Sequence, residues 1–206
     1  VYVDTYTIEF PYDFSEITRN FRNKKFIPAG REFVEGLGFL EEAKNKNIVL
    51  LVYGSPLVAT THSVIIKEAM GKKLKIKIIH AGSILDAVAE TGLQPYKFGK
   101  TTSLPNFPAD SYIDIVRENL KFGSHTLVLV DIGLKFEDAM NRLDKDSKNK
   151  KVKLDKIIVC ERLGLKDSHI YYGSIKYLKS MKVTAPFSII IPGKLHFVEK
   201  EFLNSV

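Results

Sequence analysis

The chain has 206 residues, 45% of them hydrophobic, with a single cysteine and 31 Lys plus Arg against 24 Asp plus Glu, a net charge of +7. That length buries one substantial core or two modest ones, and the lone Cys160 excludes an internal disulfide and a cysteine-built metal site. No apolar run reaches the roughly 18 residues of a membrane span, and Asp4 and Glu9 interrupt the early apolar residues, so a soluble, cytoplasmic protein with no membrane partner is expected.

Residues 2–8 predict a strand, 14–21 a short helix, 25–27 a short strand and 32–45 mostly helix. Every residue of 48–53 is apolar or aromatic, which predicts a fully buried strand stopped by Gly54 and Pro56. A helix over 60–70, a strand over 74–79 and a helix over 83–90 follow, with Thr60 or Thr61 and then Ser83 as side-chain caps. The aperiodic stretch 92–108 marks a change of domain. Beyond it come a helix over 110–121, a buried strand over 126–131, a helix over 136–143, a polar loop over 144–151, strands over 156–160 and 187–191, and a last helix over 195–203. Strands alternating with helices define an α/β fold of two α/β domains, residues 1–94 and 95–206.

The basic balance raises nucleic acid as a partner. Lysines in 72–77 alternate with Leu74, Ile76 and Ile78 as the solvated face of a strand, and those of 145–153 mix with acidic residues. With no zinc, helix-turn-helix or RNA-recognition signature, nucleic-acid binding is not expected. Gly99-Lys100-Thr101 is not a phosphate loop, because Gln94 stands where the first glycine belongs and an extended stretch over 101–104, ended by Pro105, follows instead of a helix. The histidines at 62, 80, 125, 169 and 196 lack metal-ligand spacing, and His80 and His125 read as structural residues at strand ends. No serine stands in a nucleophile elbow, so no catalytic acid, base or nucleophile is assigned.

Four segments carry a family likeness: 54–62 (Gly-Ser-Pro-Leu-Val-Ala-Thr-Thr-His), 79–84 (Ile-His-Ala-Gly-Ser-Ile), 91–100 (Thr-Gly-Leu-Gln-Pro-Tyr-Lys-Phe-Gly-Lys) and 191–196 (Ile-Pro-Gly-Lys-Leu-His). In wording and order the chain resembles the diphthine synthases, S-adenosylmethionine-dependent methyltransferases of the tetrapyrrole-methylase fold. The resemblance implies a cofactor cleft between the two domains, with Ser55, Val58, Ser83 and Ile84 contacting S-adenosylmethionine from the first and Val130, Leu163 and Phe187 from the second. His196 is a family-marking position without an assigned role. The implied acceptor is the modified histidine of translation elongation factor 2, and a homodimer is implied as well. A methyl on sulfonium is already electrophilic, so positioning and exclusion of water replace side-chain acid–base chemistry.

Two departures stand out. Ser55 occupies a position where the family usually has aspartate. The resemblance also places a first strand and a Gly-x-Gly loop ahead of the counterpart of Val1, where the sequence opens without them, and Gly36-Leu37-Gly38 is not expected to substitute because it lacks a preceding strand. The alternative expectation is a non-catalytic or split relic of the family serving as a partner subunit or binding module.

Overall fold

The computed structural model describes residues 1–19 and 25–206. Packing divides the chain into two compact units, Val1–Ser83 and Ile84–Val206.

In the first unit β1 (Tyr2–Asp4), α1 (Phe14–Arg19), β2 (Ile27–Ala29), α2 (Arg31–Glu35), α3 (Phe39–Glu42), β3 (Leu50–Leu51) and α4 (Ser63–Gly71) follow in order. The strands form a parallel sheet in the order β2-β1-β3. Tyr2, Ala29, Val34, Phe39, Leu40 and Ala69 make its core. β1 is shorter than expected because the Asp4 carboxylate accepts from the Tyr6 N–H at 2.8 Å and the Thr7 N–H at 3.1 Å, which turns the chain. The end of the helix expected over 14–21 lies outside the described residues. The helix expected over 32–45 breaks in two where Leu37 takes φ 58° between Gly36 and Gly38.

Two expectations fail here. Residues 48–53 are half-buried rather than fully buried, Val49 being 44% exposed, because β3 is an edge strand paired with β1 alone. Residues 74–79 form no strand, although Leu74, Ile76 and Ile78 alternate with lysines. Leu74 N–H closes α4 by donating to Ala69 at 2.9 Å, the residues beyond it have no partner strand among the described residues, and Ile76 is 42% exposed. His80 is therefore exposed and ends no buried strand.

The second unit contains α5 (Ile84–Ala87), β4 (Thr102–Leu104), α6 (Ser111–Lys121), β5 (Thr126–Val130), α7 (Phe136–Asn149), β6 (Ile157–Glu161), β7 (His169–Gly173), α8 (Ile175–Leu178), β8 (Phe187–Ile191) and α9 (Phe197–Leu203). Its sheet runs β4-β5-β8-β6-β7, with β4 parallel to β5 and the other pairs antiparallel. Period-two alternation gives that sheet two apolar faces. Val128, Val159, Ile189 and Ile191 pack with Ile113 and Val116 of α6, Met140 and Leu143 of α7 and Leu178 of α8. Leu127, Ile158, Cys160 and Ile190 pack on the other side with Val88, Leu93 and Leu203. Burial of Val88 and Leu93 there explains why the segment beginning at Ile84 goes with the second unit. The polar loop expected over 144–151 is helical as far as Asn149: Leu143 and Ser147 are buried, and Asp144 pairs with Lys148 at 2.9 Å and Lys179 at 3.0 Å. Lys151, at φ 55°, ends the turn that follows.

Candidate active site

In the first unit the segment 54–62 is a compact turn. Gly54 has φ 81°, and a Cβ there would stand 3.5 Å from the Gly82 carbonyl oxygen, so the turns that carry Ser55 and Ser83 lie side by side. Val58 N–H donates to the Ser55 carbonyl at 3.2 Å, and Ala59 holds φ 55°. The Thr60 hydroxyl, expected as a helix cap, instead donates to the Pro56 carbonyl at 2.9 Å, and α4 has no side-chain cap.

The same Pro56 carbonyl lies 2.9 Å from His62 Nδ1. On the other side of the ring, His62 Nε2 is 3.0 Å from Asp4 Oδ2, an ionic contact rather than an aligned hydrogen bond. Both residues are buried, His62 4% exposed and Asp4 1%. The Asp4 contact raises the His62 imidazolium above its ordinary value, burial opposes, and the Pro56 carbonyl adds to the rise. For Asp4, burial alone would raise the carboxyl, but His62, Tyr6 and Thr7 outweigh it and hold it lowered. Beside the pair is a cavity of about 280 Å³ lined by Tyr6, Val34, Leu37, Thr61, His62 and Ile65.

In the second unit three of the residues implied by the resemblance gather at one end of the sheet. Leu129 pairs with Ser188 and Glu161 with Phe187, so Val130 at the end of β5, Leu163 beyond β6 and Phe187 at the start of β8 share that end. Val130 and Phe187 pack on one face of the sheet, Phe187 edge-on to Phe136 at 5.4 Å, while Leu163 and Ile84 pack on the other. Ser55, Val58, Ser83, Ile84, Val130, Leu163 and Phe187 are all half-buried; none is sealed in a core, and each keeps surface with which to meet a ligand.

His196 immediately precedes α9, and its N–H donates to Glu199 Oε2 at 2.6 Å. Glu199, fully buried, also accepts from Gln94 N–H at 3.0 Å, pairs with Lys97 and stands 3.1 Å from His125 Nε2. His125 Nδ1 accepts from Gly193 N–H at 2.9 Å. Neither this knot nor the Asp4–His62 pair follows from sequence spacing, because their members come from distant elements. Cys160 is buried, and burial pushes its thiol up to about 12, as expected of a small core residue. Among the described residues no group of His, Cys, Asp and Glu is placed to hold a metal ion.

Residues 10–179 match the family described as Tetrapyrrole (Corrin/Porphyrin) Methylases. A diphthine synthase of Methanococcus maripaludis strain C6 is 39% identical, the match covering 99% of this chain and 87% of that protein. One of Methanocaldococcus jannaschii is 37% identical, with the same coverage of 99% and 87%. A crystal structure of diphthine synthase is similar at a TM-score of 0.91 and 31% identity, over 100% of this chain and 84% of that one. The chain belongs to the tetrapyrrole methylases, in their diphthine synthase branch.

Proposed function

We propose that this protein transfers methyl groups from S-adenosylmethionine to the modified histidine of translation elongation factor 2, in diphthamide biosynthesis. The observation that carries this reading is similarity along the whole chain to diphthine synthases, with 87% of the M. maripaludis protein covered. We further propose that Ser55, Val58, Ser83, Ile84, Val130, Leu163 and Phe187 contact the cofactor. Support comes from their half-burial and from the neighbouring backbones of Gly54 and Gly82, which precede Ser55 and Ser83 in the first unit. The residues present fit such a ligand: Gly54 and Gly82 leave no side chain between those turns, and the apolar Val130, Leu163 and Phe187 offer surface to an uncharged ring.

When bound, the cofactor supplies an electrophilic methyl on sulfonium. The task of the chain is then to orient that methyl towards a neutral amine and to keep water away. No side chain is assigned as base. A cytosolic location and assembly as a homodimer belong to the same reading, supported by the resemblance. Among the described residues no helix is long and apolar enough to cross a membrane. The test is incubation with methyl-labelled S-adenosylmethionine and elongation factor 2 carrying the unmethylated intermediate. Label on the factor is the expected outcome; cofactor binding without transfer to it would overturn the substrate, and no binding would overturn the activity.

A further inference from the structure

We propose that the buried Asp4–His62 pair positions the 54–62 turn, holding Ser55 and Val58 in the arrangement that receives the cofactor only while His62 carries its proton. The inference rests on the cofactor reading above for its consequence, but on geometry for its mechanism.

Both ring nitrogens of His62 face oxygen acceptors, Pro56 O at 2.9 Å and Asp4 Oδ2 at 3.0 Å. A neutral imidazole has one N–H, so deprotonation must set a lone pair against one of those oxygens inside a buried site. The Pro56 contact is the aligned hydrogen bond and the Asp4 contact the ionic one, so the charged ring bridges the turn to β1. Asp4 retains the Tyr6 and Thr7 N–H groups and the Thr7 hydroxyl at 3.0 Å, so it stays satisfied as a carboxylate whatever His62 does. Loss of the proton from either nitrogen therefore breaks the bridge that fixes the turn against β1.

The turn needs such an anchor. Gly54 at φ 81° and the non-glycine Ala59 at φ 55° bracket Ser55–Val58, and an alanine is disfavoured in the left-handed region. Opposing that strain inside the turn are the Val58 N–H bond to Ser55, the Thr60 hydroxyl and the His62 ring, the latter two converging on Pro56 O. The other groups around His62 do not replace its charge. The Tyr6 ring stands edge-on at 6.3 Å, the Arg31 guanidinium lies 5.2 Å from that tyrosine ring, and Glu35 on α2 borders the same cavity while pairing with Arg31 at 3.7 Å. Asp4 is the charged group in contact.

The experiment has two readouts over mildly acid to mildly alkaline pH: hydrogen exchange of the turn amides in the free chain, corrected for intrinsic rates, and calorimetric affinity for S-adenosylhomocysteine. In the wild type, protection of the turn and affinity are expected to fall together, by about tenfold per unit of displaced pKa, as pH rises. Asp4→Asn should move that fall to lower pH, and His62→Gln, which keeps one donor, should bind about tenfold more weakly at the acid end with no such pH dependence. A flat wild-type exchange profile, or an H62Q chain that binds as tightly as wild type, overturns the proposal. The wild-type profile decides it even should H62Q not fold. A wild type that binds nothing at any pH while the turn still opens with rising pH leaves the positioning device standing and overturns the cofactor reading instead.

Discussion

Two buried histidines, one in each unit, sit against a carboxylate at nearly the same distance, yet their pKa values are displaced in opposite directions. His62 is 3.0 Å from Asp4 and its other nitrogen meets a carbonyl, so both positions call for N–H and the imidazolium is stabilised. His125 is 3.1 Å from Glu199, but its Nδ1 accepts from the Gly193 N–H, which a protonated ring cannot do. Burial then lowers His125, with Glu199 opposing. Glu199 does not depend on it: burial disfavours its charge, but the Gln94 and His196 N–H groups and Lys97 outweigh this and hold it at about 2. The lesson is that a neighbouring acid does not settle a histidine's charge; the backbone group at the other ring nitrogen does, and a Pro56 carbonyl and a Gly193 amide give opposite answers.

The strongest way to break the comparison is to remove the anchor of the second unit. Glu199→Ala strands two backbone donors, Lys97 and the His125 ring in a buried site, and is expected to cost about 3–5 kcal/mol in urea unfolding. Asp4→Asn in the first unit keeps the size and an acceptor for Tyr6 and Thr7, so it should cost less than half as much. Equal losses would mean that the two pairs play the same structural part.

A smaller effect isolates α9 without touching charge. Gly92 has φ 73°, and a Cβ there would stand 2.3 Å from the Phe202 ring. Gly92→Ala should cost about 1–3 kcal/mol through strain and displacement of that helix, measured by thermal unfolding. It should also loosen the Glu199–His125 knot, seen as a rise of the His125 titration towards the ordinary 6.5 by NMR.

How far these features were legible in the sequence differs between the units for a physical reason. In the second unit β8 falls over the 187–191 expected from its apolar run, and α6 follows the spacing of Ile113, Val116 and Leu120, because wide apolar faces impose their period. β7 was missed, since His169 and two tyrosines alternate only weakly and the strand is specified by antiparallel pairing with β6. The first unit misled more. Residues 48–53 and 74–79 have strand chemistry, but exposure depends on which strands flank them, and that is not encoded within the segments. For the site, the four segments that carry the family likeness brought out Ser55, Val58, Ser83 and Ile84 as residues, whereas Asp4 with His62 could be paired only once β1 and the turn were seen in space. The Thr-Thr-His wording flagged His62 as a residue without saying what it touches.

The pH dependence sharpens the contrast because the two signs are opposed. His62 has a folded pKa above its ordinary 6.5, so its contribution is complete below 6.5 and is lost as pH rises through the folded value. His125 has a folded pKa below 6.5, so its contribution is complete above 6.5 and is lost as pH falls from there towards the folded value. Each displaced unit is worth about 1.4 kcal/mol. Hydrogen exchange resolved by unit should therefore show the first unit loosening on the alkaline side and the second on the acid side. Loosening of both in the same direction would contradict the direction of one histidine's pKa shift.

The smallest effect is read by Cys160, which sits in the second unit on the sheet face that also buries Ile158 and Ile190. It is 1% exposed and burial holds its thiol at about 12, so a disulfide reagent such as dithiodipyridine reaches it only when the unit opens. Loss of the His125 contribution on the acid side should raise the labelling rate, corrected for the rate in unfolded chain, by up to about tenfold per unit of displaced pKa, with no rise on the alkaline side. A rise on the alkaline side instead would mean that the second unit answers to His62, and that the two histidines are energetically one system rather than two.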